Sequence, residues 1–155
     1  MDQVTSALEP KAQHYTALEG MYLAAPINSL YPCRIQVAEA RSVIQLEIDP
    51  RYFHAAGAVH GSVIFKLLDD AAFFAANSLE TDVFVLTTSF TTYLTRPVST
   101  GVLRAEGRVV NRNKSQFIAE AVVYDAHQRE IGRGNGIFVR SKLPLNEDVS
   151  YKLKV

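Results

Sequence analysis

At 155 residues the chain has the length of one domain, and its 48% apolar content excludes wholesale disorder. Sixteen basic and sixteen acidic residues cancel, so no bulk charge draws it to nucleic acid, although a local basic patch for a phosphorylated small molecule stays open. One cysteine, Cys33, excludes an internal disulfide and a cysteine-based zinc cage and fits a reducing compartment. Met1–Thr5 lack the pattern of a signal peptide, and no run nears the ~20 apolar residues that span a bilayer. The expectation is a soluble, cytoplasmic, single-domain protein (1–155) with no nucleic-acid or membrane partner.

Residues 11–31 read as a helical lead-in: Tyr15, Leu18, Met21 and Tyr22 recur at three- and four-residue spacings, and Pro26 ends the pattern. Alternation then takes over. Ile35 and Val37, a polar turn at 38–42, and Ile44, Leu46 and Ile48 predict a hairpin closed by Asp49-Pro50. From Gly61 to Ser78 the apolar run is too long for a strand and rich in Ala and Leu, which predicts a helix. At ~100° per residue Lys66, Asp70 and Asn77 share one polar stripe; the remaining surface is so apolar that the helix must be enclosed on most sides.

Four more alternating runs follow, over 84–94, 103–109, 117–123 and about 130–140, joined by turn residues at 99–101, 111–114 and 125–128. The short joints predict antiparallel neighbours throughout, hence a four-strand meander. The fold class is α+β: hairpin, long helix, then meander, one sheet face wrapping the helix. Residues 33–140 form the core, and the structure of the tail at 141–155 is not legible.

Candidate chemistry gathers at the entry to the long helix, in His54, Gly57, His60, Gly61, Ser62 and Asp69. The first N–H groups of a helix lack partners and lie at its positive end, so Gly61 can stabilise an oxyanion; equally, Gly61 or Ser62 simply caps the helix. Asp69 sits among Leu67, Leu68, Ala71 and Ala72, where desolvation raises its pKa and suits a general base or nucleophile; the bland alternative pairs it with Lys66 or an arginine. Asp70, nearer the centre of the polar stripe, is expected to be solvated. The four histidines show no zinc-binding spacing, so no metal is expected. His14 and His127 read as surface residues and Cys33 as structural. Gly132, Gly134 and Gly136 alternate on one strand face with no helix after them, which points to close backbone approach rather than a nucleotide loop.

The segment HGSVIFKLLDDAAFFAANS, His60 to Ser78, resembles the helix signature of hotdog-fold acyl-CoA thioesterases, with closest likeness to the phenylacetate-pathway subfamily. Its pattern is His-Gly-Gly, an apolar run, then Asp nine residues after the His, which places Asp69 on the catalytic carboxylate. TTYLTRPVSTGVLRAEGRVV resembles the strand, Arg-Pro and strand pattern that follows. The resemblance implies a hotdog fold, a curved antiparallel sheet wrapping the central helix, with subunits paired edge to edge into a dimer or dimer of dimers. It implies hydrolysis of acyl-CoA to a carboxylic acid and free CoA, with no cofactor, since CoA is part of the substrate. Asp69 becomes general base or nucleophile, and the Gly61 N–H polarises the carbonyl. His60 shapes the turn and can donate to the substrate. His54 stands where the family commonly has Asn or Gln from across the dimer, and Ser62 replaces the second glycine. Thr92, Thr95 or neither faces the site from the following strand. CoA phosphates imply basic residues at the pocket mouth: Arg112 and Lys114 in a strand-connecting loop, with Arg96, Arg140 and Lys142 as weaker candidates. The alternatives are a non-catalytic acyl-CoA sensor and a hotdog hydratase or dehydratase.

Overall fold

The structure, a computed structural model, describes residues 9–154. Val155 and the first eight residues, where the sequence lacks a signal-peptide pattern, lie outside them. Helix α1 spans Pro10–Ala24, with proline at its first turn where no intrahelical N–H bond is needed. It ends earlier than the lead-in predicted, because Ala25 precedes Pro26 and is extended (φ −62°, ψ 131°). A 3₁₀ turn at Pro26–Ser29 follows.

Strands β1 (Arg34–Ala38) and β2 (Arg41–Glu47) form the expected hairpin. Helix α2 covers Gly61–Asn77, and β3 (Val83–Leu94), β4 (Val102–Arg112), β5 (Gln116–Tyr124) and β6 (Glu130–Pro144) complete one antiparallel sheet. Its order is β1-β2-β4-β5-β6-β3, and α2 packs against all six strands. Leu67, Leu68, Ala71, Ala72, Ala75 and Ala76 are fully buried there. The architecture is α+β, a sheet wrapped around a central helix.

The meander holds only for β4, β5 and β6. β3 pairs with β6 at the far edge, and β4 pairs with β2. The link at 95–101 must cross three inter-strand spacings, about 14 Å, and its seven residues reach about 24 Å extended. A length that suits a hairpin therefore also suits this crossover. It passes over the start of α2, where Val98 O accepts from Val59 N–H and Gly101 O from Ile48 N–H.

A bulge between Thr87 and Ser89 breaks the single alternation expected of β3. Before it, Val85 and Thr87 face the helix; after it, Phe90, Thr92 and Leu94 do, each opposite a β6 residue on that face. Those partners are the three alternating glycines. A Cβ at Gly134 or Gly136 would strike the Phe90 ring and β3 backbone, and one at Gly132 would meet Tyr93 O and Ile64, which is the close approach expected.

Three surface expectations are corrected. His14 is buried: Nε2 lies 2.9 Å from Asn77 O and Nδ1 2.7 Å from the Tyr151 hydroxyl, so it ties α1 and the C-terminal tail to the end of α2. Asn77 is fully buried and accepts from Val85 N–H at 2.9 Å. Asp70 is half-buried beside Lys66, covered by α1 and the turn after it. Cys33 is buried within reach of Tyr22, and His127 is exposed. In the tail, β6 continues to Pro144, a 3₁₀ turn covers Glu147–Val149, and Tyr151 returns to the core.

Candidate active site

α2 begins where the chain leaves extended structure at His60 (φ −61°, ψ 139°). The cap is the His60 side chain, rather than Gly61 or Ser62: its Nδ1 accepts from Ser62 N–H at 3.0 Å and lies 2.8 Å from Ser62 Oγ. His54 Nδ1 accepts from Ala56 N–H at 3.1 Å in a turn whose Gly57 adopts φ 79°. A backbone N–H can only donate, so the Nδ1 of each ring accepts and the ring's proton sits on Nε2. The two rings are 6.5 Å apart.

The Gly61 N–H has no acceptor among the described residues, as expected of the first helical position. It borders a cavity of about 290 Å³ together with His54, Leu94, Thr95 and Arg96. The crossover link thus places Arg96 and Thr95 at the helix start. Leu94 leans directly over Gly61, where a Cβ would lie 2.6 Å from its tip. Thr92 is instead turned inward, its hydroxyl buried without a partner in the described structure.

Asp69 lies two turns along α2. Thr87 Oγ1 donates to its Oδ1 at 2.9 Å. Among the described residues no cation forms an ion pair with it. The Lys66 ammonium goes to Asp70 Oδ2 at 2.5 Å and Asn28 Oδ1 at 2.7 Å, and the Tyr22 hydroxyl donates to Asp70 Oδ2 at 2.8 Å. Burial raises the Asp69 pKa; the Thr87 bond opposes this, the nearby Asp70 charge adds to it, and the Lys66 charge, bonded elsewhere, lowers it. The same surroundings push the Tyr22 hydroxyl strongly upward, chiefly through burial and then through Asp70. Asp69 and Thr87 border a second cavity of about 280 Å³, lined also by Phe73, Phe84 and Leu86 and by Met21 and Ile27.

Within the chain the residues are therefore divided. His54, Gly61 and Arg96 share the first cavity; Asp69 lines the second, eight residues or about 12 Å further along the helix. His60 and Ser62 are exposed and bonded to each other. Arg112 borders a different cavity with Ser78 and Leu79, at the opposite end of α2. Lys114 is at that end too, its carbonyl accepting from Arg140, which in turn binds Glu80. Thr87 is the site residue absent from the sequence reading. Its signal was hidden because unbroken alternation puts it on the outer face. Among the described residues no three His, Cys, Asp or Glu side chains gather as a cation site.

The family model described as the thioesterase superfamily matches residues 56–131, which contain Gly61, Asp69, Thr87 and Arg96. No curated protein matches the chain in sequence. Among solved structures, the Escherichia coli PaaI protein of the phenylacetic acid degradation operon superposes with a TM-score of 0.80 at 18% identity, covering 88% of this chain and 99% of its own. AziG of S. sahachiroi gives a TM-score of 0.71 at 22% identity, covering 78% of this chain and 99% of its own. A point mutant of the phenylacetic acid degradation protein PaaI of Thermus thermophilus gives 0.68 at 19% identity, covering 75% and 99%. The sheet wrapped around α2 is the fold of these proteins, and the motif-bearing segment is the one the family model matches. Residues 56–131 of this chain match the thioesterase-superfamily model, and the chain has the hotdog fold.

Proposed function

We propose that the protein is a PaaI-like acyl-CoA thioesterase, hydrolysing a thioester to a carboxylic acid and free CoA. The carrying observation is Asp69, a carboxylate partly buried on α2, held by a hydroxyl and, among the described residues, without an ion pair while its neighbour takes the lysine. Such a group is a stronger base than an exposed aspartate. Thr87 fixes Oδ1, and Oδ2, unpartnered among the described residues, faces the reaction. Asp69 takes a proton from the attacking water, or attacks the carbonyl itself to form an anhydride that water then opens. In both routes the C–S bond breaks and the CoA thiolate, a good leaving group, takes up a proton. The carbonyl oxygen gains negative charge, which the Gly61 N–H at the positive end of α2 stabilises.

Gly61 and Asp69 open into separate cavities of one chain, so the reacting centre is built from Gly61 of one protomer and Asp69 of another. β3 supports this: it is an edge strand of twelve residues, and Leu86, Tyr93 and Leu94 on it, with Phe65 of α2, are large apolar residues left exposed. The oligomer is a homodimer paired along that edge, or a dimer of such dimers. His54 and Arg96, beside Gly61, meet the CoA arm, with Ser62 and His60 at the rim; Arg112 and Lys114 join only from another protomer. A buried, unpaired Cys33 fits the reducing cytoplasm. The test is thiol release across an acyl-CoA series. Asp69→Asn is expected to fold normally and lose at least about a hundredfold in kcat. Full activity of that variant overturns the assignment, and stoichiometric binding without thiol release supports a sensor instead.

A further inference from the structure

The second cavity has a wall that does not come from the hotdog core. Met21, Ala25 and Ile27, from the end of α1 and the turn after it, line it together with Asp69 of α2 and Phe84 and Leu86 of β3. This segment precedes the residues matched by the family model. It is latched to the catalytic helix by side chains: Tyr22 donates to Asp70, and Lys66 donates to both Asp70 and Asn28. The latch consumes the polar groups on that side of the cavity, and what remains is apolar. Ile27 and Leu86, which both line the cavity, are 53% and 43% exposed within the single chain.

We infer, building on the thioesterase reading, that the segment from Met21 to Asn28 is the specificity wall of the acyl site, and that Ala25 sets how large an apolar acyl tail lies beside Asp69. The cavity of about 280 Å³, at about 30 Å³ for each water-sized group, takes on the order of nine such groups. The acyl group is therefore a medium-sized apolar tail. Ala25 is the smallest side chain in the wall, and it lies between the helix and the turn in extended backbone that accepts larger residues without strain.

The experiment grades this side chain. Wild type, Ala25→Val and Ala25→Leu are compared with butanoyl-, octanoyl- and dodecanoyl-CoA by thiol release, and with their non-hydrolysable thioether analogues by calorimetry. For wild type, affinity is expected to rise about fourfold per methylene until the tail nears nine atoms and then level off. In Ala25→Val and Ala25→Leu the plateau is expected about two and three methylenes earlier, in Kd and in kcat/KM alike. An unchanged plateau in both variants overturns the inference, as does a wild type that binds all tails equally. A shifted plateau in Kd without thiol release upholds the wall and overturns the thioesterase reading. If wild type binds none of the analogues, both fall. Lost folding in Ala25→Leu is detected by its melting curve, and Ala25→Val then carries the comparison.

Discussion

Gly61→Pro separates the catalytic use of the helix N-terminus from its structural use. Proline lacks the N–H to which the oxyanion would bind, yet the structure gives it an easy place. Gly61 is the first residue of α2, so no intrahelical hydrogen bond is lost. His60 already has the extended conformation (φ −61°, ψ 139°) required before proline. Leu94 must give way, but its contact is the tip of a side chain that is 57% exposed. Stability should therefore change by less than about 1 kcal/mol. Loss of one oxyanion donor costs about 3–4 kcal/mol, a hundred- to thousandfold in kcat. Gly61→Ala is the control, since it crowds Leu94 in the same way but keeps the N–H. Proline should fall at least about tenfold below alanine in kcat, at similar melting temperatures. Equal kcat in the two variants would remove Gly61 from the mechanism. The same variant tests where the site is assembled. Subunits of Gly61→Pro and Asp69→Asn, each inactive and allowed to exchange, form mixed dimers with one intact site when the two residues meet across protomers. About a quarter of wild-type activity then returns; none returns if both groups act within one chain.

Thr87→Val removes the bond that holds the Asp69 pKa down, so the acidic limb of kcat/KM should move to higher pH, and Thr87→Ser should restore it; an unmoved limb would show that the bond does not act on Asp69. His14 is the second pH-sensitive group. Burial lowers its pKa, so the unfolded chain binds the proton more readily, and stability should be lost as pH falls below about 6.5. Urea unfolding at pH 7.5 and 5.5 should show a smaller loss in His14→Gln, whose amide can still donate to Asn77 O; an identical loss would assign the slope to other groups.

α2 was legible because a seventeen-residue apolar run rich in alanine fits neither the length nor the period of a strand. The strands themselves were legible by alternation. What joined them was not, since the 95–101 link has a length that serves a hairpin and a crossover equally. Lys66 could reach Asp69 or Asp70, three and four residues on, and local sequence does not decide between them. Tyr22 and Asn28 decide it from another element, and their choice leaves Asp69 without an ion pair among the described residues. The Thr87–Ser89 bulge matters most. One extra residue turns Thr87 in toward Asp69 and, beyond the kink, turns Leu94 in over Gly61. With a regular alternation only one of these contacts could form, because the two residues lie an odd number of positions apart. The irregularity that hid the site from the sequence is thus what lets one strand reach both of its chemical groups, and an edge strand can carry such a bulge without a second neighbour to disrupt.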